Sequence, residues 1–140
     1  MAKGRFIHKY PEKYIGDVTK IFYRSSWELT MMNFFDSNMK VLKYSSEEIS
    51  VPYIKPTDGK VHKYYPDFYV EFINNDNEVV KELIEVKPYK ETVLTKKSTD
   101  YDKISIAINE AKWKAAQAFC DKGGITFRLI TEKQLYGGKK

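Results

Sequence analysis

Tyr65-Pro66-Asp67-Phe68-Tyr69-Val70-Glu71-Phe72, followed after a polar turn by Val80-Lys81-Glu82-Leu83-Ile84-Glu85-Val86-Lys87-Pro88, decides how this chain folds. The two segments read as strands joined through Asn74-Asn75-Asp76-Asn77, whose turn chemistry folds the second back on the first. In the first strand Pro66, Phe68, Val70 and Phe72 fall on one face and Tyr65, Asp67, Tyr69 and Glu71 on the other. In the second, Glu85 and Lys87 share a face while Ile84 and Val86 enter the opposite layer. An antiparallel pairing brings Asp67 towards Glu85 and Lys87, so that two carboxylates and one ammonium converge.

That grouping has a chemical use. Carboxylates on rigid strands are hard oxygen ligands suited to Mg²⁺, with Mn²⁺ as a substitute. Such an ion polarises a phosphoryl oxygen and activates water, and Lys87 would orient the nucleophile or neutralise charge developing on phosphorus. The implied reaction is phosphodiester hydrolysis. The same three residues also fit an ordinary cross-strand ion-pair cluster, a common arrangement on short strands.

Working outward, 140 residues with 42% hydrophobic and 15% aromatic content suit one domain around a single core. The 24 Lys and Arg against 19 Asp and Glu leave +5, a balance that favours a polyanionic partner such as DNA without demanding one. One cysteine, Cys120, excludes an internal disulfide and a Cys-rich zinc site, which suits a reducing compartment. No apolar run approaches the roughly 20 residues of a membrane span, and the start lacks the apolar centre of a signal peptide. The expectation is a soluble, cytosolic protein with no membrane partner. No phosphate-cradling glycine loop is present, which argues against an NTPase.

Residues 1–24 mix Lys3, Arg5, His8, Lys9 and Lys13 with Phe6, Tyr10 and Tyr14 and read as a basic aromatic arm, either packed on the domain or reaching for DNA or a protein partner. A domain over residues 25–136 follows, and residues 137–140 form a basic tail. From Ser25 the pattern is helical, with Trp27, Thr30, Met31, Phe34 and Phe35 as the buried stripe and Asp36-Ser37-Asn38 as the stop. Ser25-x-x-Glu28 has the form of a capping box, which gives Glu28 a structural job. Residues 41–55 read as a strand region in which Pro52 marks an edge or bulge. Glu47 and Glu48 before it are further carboxylates, more often solvent-facing. Thr57-Asp58-Gly59-Lys60 should turn residues 49–54 into a hairpin with residues 61–72, placing His62 and Lys63 near the cleft.

The lysine-rich loop over residues 87–99, including Lys90, reads equally as a duplex clamp or a solvated connection. Residues 99–119 form a second helix capped by Thr99 or Asp100, with Ile104, Ala107, Ile108, Ala111, Ala115, Ala118 and Phe119 on one face and Trp113 on the opposite one, in either a second packing layer or a partner surface. Lys112 and Lys114, and Arg24 before the first helix, are candidate phosphate contacts as well as ordinary surface cations. Cys120 reads as packing. Residues 125–130 form the last strand, Thr131 caps a short helix, and the βα order predicts a mixed sheet flanked by helices.

Pro66-Asp67 with Glu85-Val86-Lys87 resembles the PD-(D/E)XK nuclease signature, and three flanking segments narrow the likeness. They are Arg24-Ser25-Ser26-Trp27-Glu28, Lys112-Trp113-Lys114-Ala115-Ala116 and Ile130-Thr131-Glu132-Lys133-Gln134-Leu135. Together with Pro11-Glu12-Lys13-Tyr14-Ile15-Gly16-Asp17 they resemble the head-completion nucleases of T-even phages. The resemblance implies an α/β, restriction-endonuclease-like single domain, a mixed central sheet flanked by α-helices, and Mg²⁺-dependent cleavage of DNA, internally or from ends. It implies action on packaged phage DNA during head completion and head-tail joining, with phage head, neck or portal proteins as partners. The location implied is the host cytoplasm during assembly, or the virion. It adds Glu28 to Asp67 and Glu85 as a metal ligand and catalytic residue, keeps Lys87 as the catalytic lysine, and suggests that Gln117 lines the site. Two other readings stand beside it. One is a non-catalytic neck component that binds DNA or a portal; the other is a related endonuclease of the transposase or junction-resolvase type.

Overall fold

The structure, a computed structural model, describes residues 3–133. In chain order the elements are β1 (Gly4–Arg5), β2 (Phe22–Tyr23), α1 (Ser26–Ser37), β3 (Val41–Ser46), β4 (Val51–Ile54), β5 (Val61–Tyr64), β6 (Phe68–Ile73), β7 (Val79–Val86), α2 (Asp100–Gly123) and β8 (Thr126–Ile130). The central sheet has the order β3-β6-β7-β8. Its first three strands are antiparallel, and β8 lies parallel to β7 because α2 crosses between them. Helices cover both faces of this mixed sheet, the α/β architecture expected.

Strand alternation sorts the core into two layers. Phe68, Val70 and Ile84 face α1, where they meet Met31, Met32 and Phe35. Tyr69 and Leu83 face α2, where they meet Ala116 and Cys120 and the β4–β5 hairpin residues Val51, Tyr53 and Tyr64. The turn between β6 and β7 is held by the Asn74 side chain, which accepts from the amides of Asp76 and Glu78 at 2.9 Å each. Asn77 takes a φ of 63°, the left-handed conformation that asparagine tolerates.

Four details differ from the sequence expectation. The 41–55 region is two strands in different sheets, β3 in the centre and β4 in a separate ribbon with β5. The 61–72 segment likewise divides at Tyr65-Pro66-Asp67, because Pro66 has no amide to continue a ladder. Third, α1 buries Met32 and Asp36 and leaves Phe34 54% exposed. The arm causes this shift by packing Phe6, Tyr14 and Ile21 into the same layer. It also donates the Lys9 amide to Asp36 at 2.7 Å, while the Tyr44 hydroxyl of β3 donates to the same carboxylate at 3.1 Å. Lys13 Nζ donates to the carbonyls of Phe35, Asp36 and Asn38 at 2.8, 2.9 and 2.8 Å, closing the C-terminal end of α1.

Fourth, α2 is rotated from the expected phase. Ile106, Ala116 and Cys120 are its buried residues, whereas Ala107 and Ala118 are exposed and Ile104 is half exposed. Two small side chains, Ala116 and Cys120, let the helix sit close to Val51 and Leu83, and that close approach sets the rotation. Of the two readings open to Trp113, packing is the one realised: it lies against the layer of Val51, Leu83 and Ala116. Thr99 caps α2 in a reciprocal box with Asp102, and Gly124 at φ 68° ends it. The Thr131 hydroxyl accepts from the Lys133 amide at 3.2 Å, but the rest of the expected short helix and the 137–140 tail lie outside the described residues. No helix among the described residues is long and apolar enough to cross a membrane.

Candidate active site

The ladder between β6 and β7 stops at Phe68 opposite Ile84. Beyond it the Val86 amide turns to a side chain, donating to Asp67 Oδ2 at 2.7 Å. The Asp67 carbonyl accepts from the Glu47 amide at 3.1 Å, tying the residue to the end of β3. Asp67 is thus fixed at the break that Pro66 imposes, on the sheet face that carries Glu85. Two residues on, Lys87 donates its amide to the Ile130 carbonyl at 2.9 Å, and its Nζ reaches 3.8 Å from Glu85 Oε2.

The electrostatics follow from crowding. Burial pushes the Asp67 carboxyl up to about 8, the Glu85 charge adds to the rise, and Glu28 adds more, against the opposing Val86 amide and Lys87. Burial also raises Glu85, opposed by the Tyr64 hydroxyl, Lys87, Lys112 and the Asp67 backbone. Two acids that cannot both ionise at low cost call for a cation between them. Their hard oxygen donors fit a divalent ion, which would remove the repulsion that a single ammonium leaves in place.

Glu28 stands behind this pair. Ser25 Oγ accepts from the Glu28 amide at 3.1 Å, and Glu28 Oε1 accepts from the Arg24 amide at 3.0 Å, so the capping function is realised. Among the described residues no three acidic, His or Cys side chains stand close enough to share a metal ion. The expected trio of Asp67, Glu85 and Glu28 is therefore a pair plus a neighbouring charge, because one Glu28 oxygen is committed to the helix start. Arg24 itself forms a two-pronged ion pair with Glu47 and is not free for phosphate in this arrangement. Glu48 accepts from the Tyr14 hydroxyl at 3.3 Å.

Other candidates lie apart. His62 pairs with Asp58 at the hairpin turn, 2.8 Å away. Lys63 alternates with the inward Tyr64 and points to solvent. Lys90 belongs to the short turn Tyr89–Glu91 that the Glu132 carboxylate holds through the Tyr89 amide at 2.8 Å. Lys114 is exposed, and Gln117 donates to Asp121 at 2.8 Å rather than to the acidic pair.

Lys112 does join the site, along with two residues the sequence left out. Tyr64 donates its hydroxyl to Glu85 Oε1 at 2.7 Å, and burial, with the Glu85 charge beside it, pushes that phenol far above its usual range. Trp113 packs in the same cluster as Tyr64, so β5 and α2 together surround the partner of Glu85. Neither link is readable locally: Tyr64 lies 21 residues from Glu85, and Trp113 becomes available only with the true rotation of α2.

A mixed sheet with a helix on each side is the restriction-endonuclease-like architecture, and here Asp67, just before β6, meets Glu85 of β7 and the following Lys87 at one end of it. Residues 38–132 match the family model of the TnsA-like endonuclease N-terminal domain, and the chain belongs to that family and is a deoxyribonuclease. Nucleases of this kind generally work with divalent metal ions. The chain is also 34% identical over 142 residues to the head completion nuclease of Enterobacteria phage T4, a match covering 94% of this chain and 92% of that protein.

Proposed function

We propose that this protein is a Mg²⁺-dependent DNA nuclease that completes phage heads, with Asp67 and Glu85 holding the metal and Lys87 serving the attacking water. The observation that carries the reading is the meeting of two acids, each raised by burial and Asp67 raised further by the Glu85 charge, beside a lysine 3.8 Å from Glu85. The name of the phage T4 relative supports the role in head completion, and phage head or portal proteins are the partners that role would need.

When bound, the metal supplies Lewis-acid activation of the phosphodiester, and Mn²⁺ would substitute for Mg²⁺. The remaining work falls to the chain. Lys87 orients the water by hydrogen bonding and offsets negative charge developing on the phosphoryl oxygens. Tyr64, backed by Trp113, fixes one oxygen of Glu85 and leaves the other facing Lys87. Glu28 adds negative charge that draws a cation to the pair.

The test compares the wild-type protein with Asp67→Ala on linear, circular and branched DNA, in Mg²⁺ and in chelator. Cleavage that needs Mg²⁺ and disappears in the variant is expected. Activity that survives in the variant, or binding without cleavage by either protein, would defeat the proposal.

A further inference from the structure

Lys112 is a cation short of negative charge. Its stem leaves α2 beside the inward Trp113, and its ammonium lies 5.6 Å from the Tyr64 ring centroid and 5.9 Å from that of Tyr53. Tyr64 is the residue whose hydroxyl holds Glu85, so Lys112 stands one side chain away from the acidic pair. Burial lowers the Lys112 ammonium's pKa, Lys87 and Lys55 repel it, and Glu85 compensates only in part. Among the described residues Lys112 has no hydrogen bond and no ion pair. Lys87, just past β7, and Lys55, just past β4, thus add positive charge around Lys112, and the acid that acts on it, Glu85, is already engaged by Tyr64.

We infer that Lys112, supported by Lys55, forms a backbone-phosphate subsite that takes a phosphodiester of the cleaved strand next to the one hydrolysed. This rests on the nuclease reading above. The two aromatic rings fix the ammonium's direction in advance, so little side-chain freedom is lost when the phosphate arrives. An arriving phosphodiester also relieves the repulsion among the three lysines. Lys112 is therefore a substrate-binding residue for the strand, separate from Lys87, which serves the water.

The experiment uses a duplex on which the wild-type cut has been mapped, with methylphosphonate placed singly at each phosphate flanking it on the cleaved strand. Binding is measured in Ca²⁺ for the wild type, Lys112→Met and Lys112→Arg, alongside melting temperatures. At one flanking position the wild type and Lys112→Arg should lose about ten-fold in affinity, while Lys112→Met binds the natural duplex equally weakly and ignores the substitution. The salt dependence of binding should fall by about one contact in Lys112→Met. Full sensitivity in Lys112→Met at every position, or natural-duplex binding like that of the wild type, overturns the subsite. Should Lys112→Met fail to fold, insensitivity of the folded wild type and Lys112→Arg at all flanking positions overturns it as well. A wild-type protein that cuts no DNA would instead defeat the nuclease reading, so the two failures are distinct.

Discussion

Asp67→Asn should stabilise the metal-free protein while removing its cleavage. The carboxyl has an ordinary value of 3.8 and is pushed up to about 8, by burial first and by Glu85 second. A group whose folded pKa lies above its unfolded one takes up a proton on folding. The associated stability is fully present below the unfolded value and is lost as pH rises through the folded one. Between pH 4 and 8 the wild type should therefore weaken more steeply than a variant with a neutral isostere, in which Glu85 alone of the pair still loses its proton. At about 1.4 kcal/mol per pH unit, the gain at pH 7 is at most about 4 kcal/mol. Asp67 and Glu85 share their protons as a pair and Asp67 is only partly buried, so roughly 2 kcal/mol is the expected size. The asparagine oxygen can still accept from the Val86 amide, which isolates the charge effect. In a domain of this size that corresponds to a melting temperature about 6 °C higher. Thermal melts in chelator at pH 4, 5.5 and 7.5 provide the assay, with the gain expected to grow with pH and to vanish near pH 4. Saturating Mg²⁺ should then raise the melting point of the wild type and leave the variant unmoved. A variant that melts lower at pH 7.5, or shows the same difference at every pH, would refute the crowding argument.

Other perturbations probe the remaining parts. Tyr64→Phe removes the hydroxyl that orients Glu85 and should raise the Mg²⁺ concentration for half-maximal cleavage by about 10- to 100-fold, with kcat at saturating metal largely kept. An unchanged metal midpoint would deny Tyr64 its positioning role. Lys13→Met uncovers three carbonyls at the end of α1 and should cost about 1–2 kcal/mol of stability in denaturant titration, without altering cleavage by the folded protein. Cys120 is buried and its thiol is pushed up to about 11, so it should stay unlabelled by a thiol reagent at pH 8 until denaturant is added. Rapid native labelling would show that α2 does not pack as described.

Local chemistry carried much of the architecture. Asn74-Asn75-Asp76-Asn77 requires a turn whatever surrounds it, and period-two alternation on either side assigns Phe68, Val70 and Ile84 to one layer without knowledge of the rest. The same alternation put Asp67 and Glu85 on a common face. Thr99 and Gly124 bracket α2 by capping rules that act over three or four residues. Helix phase was less legible. The apolar residues of α1 and α2 are spread too widely around each axis to select one face, and the choice fell to what packs there. For α1 that was the arm, with Tyr14 and Lys13; for α2 it was the fit of Ala116 and Cys120 against Val51 and Leu83.

The amino-acid sequence by itself determined the two helices, the β6–β7 hairpin with its turn, and the three residues of the central motif, because each depends on neighbours a few positions away. Tertiary structure alone decided which other groups serve them. Glu28 answers to a helix cap, Arg24 to Glu47, and His62 to Asp58, whereas Tyr64, Trp113 and Lys112 reach the acidic pair only through the packing of the hairpin and α2. The physical reason is that a buried charge is tuned by whatever the fold places within a few ångströms of it, and that company is drawn from distant parts of the chain.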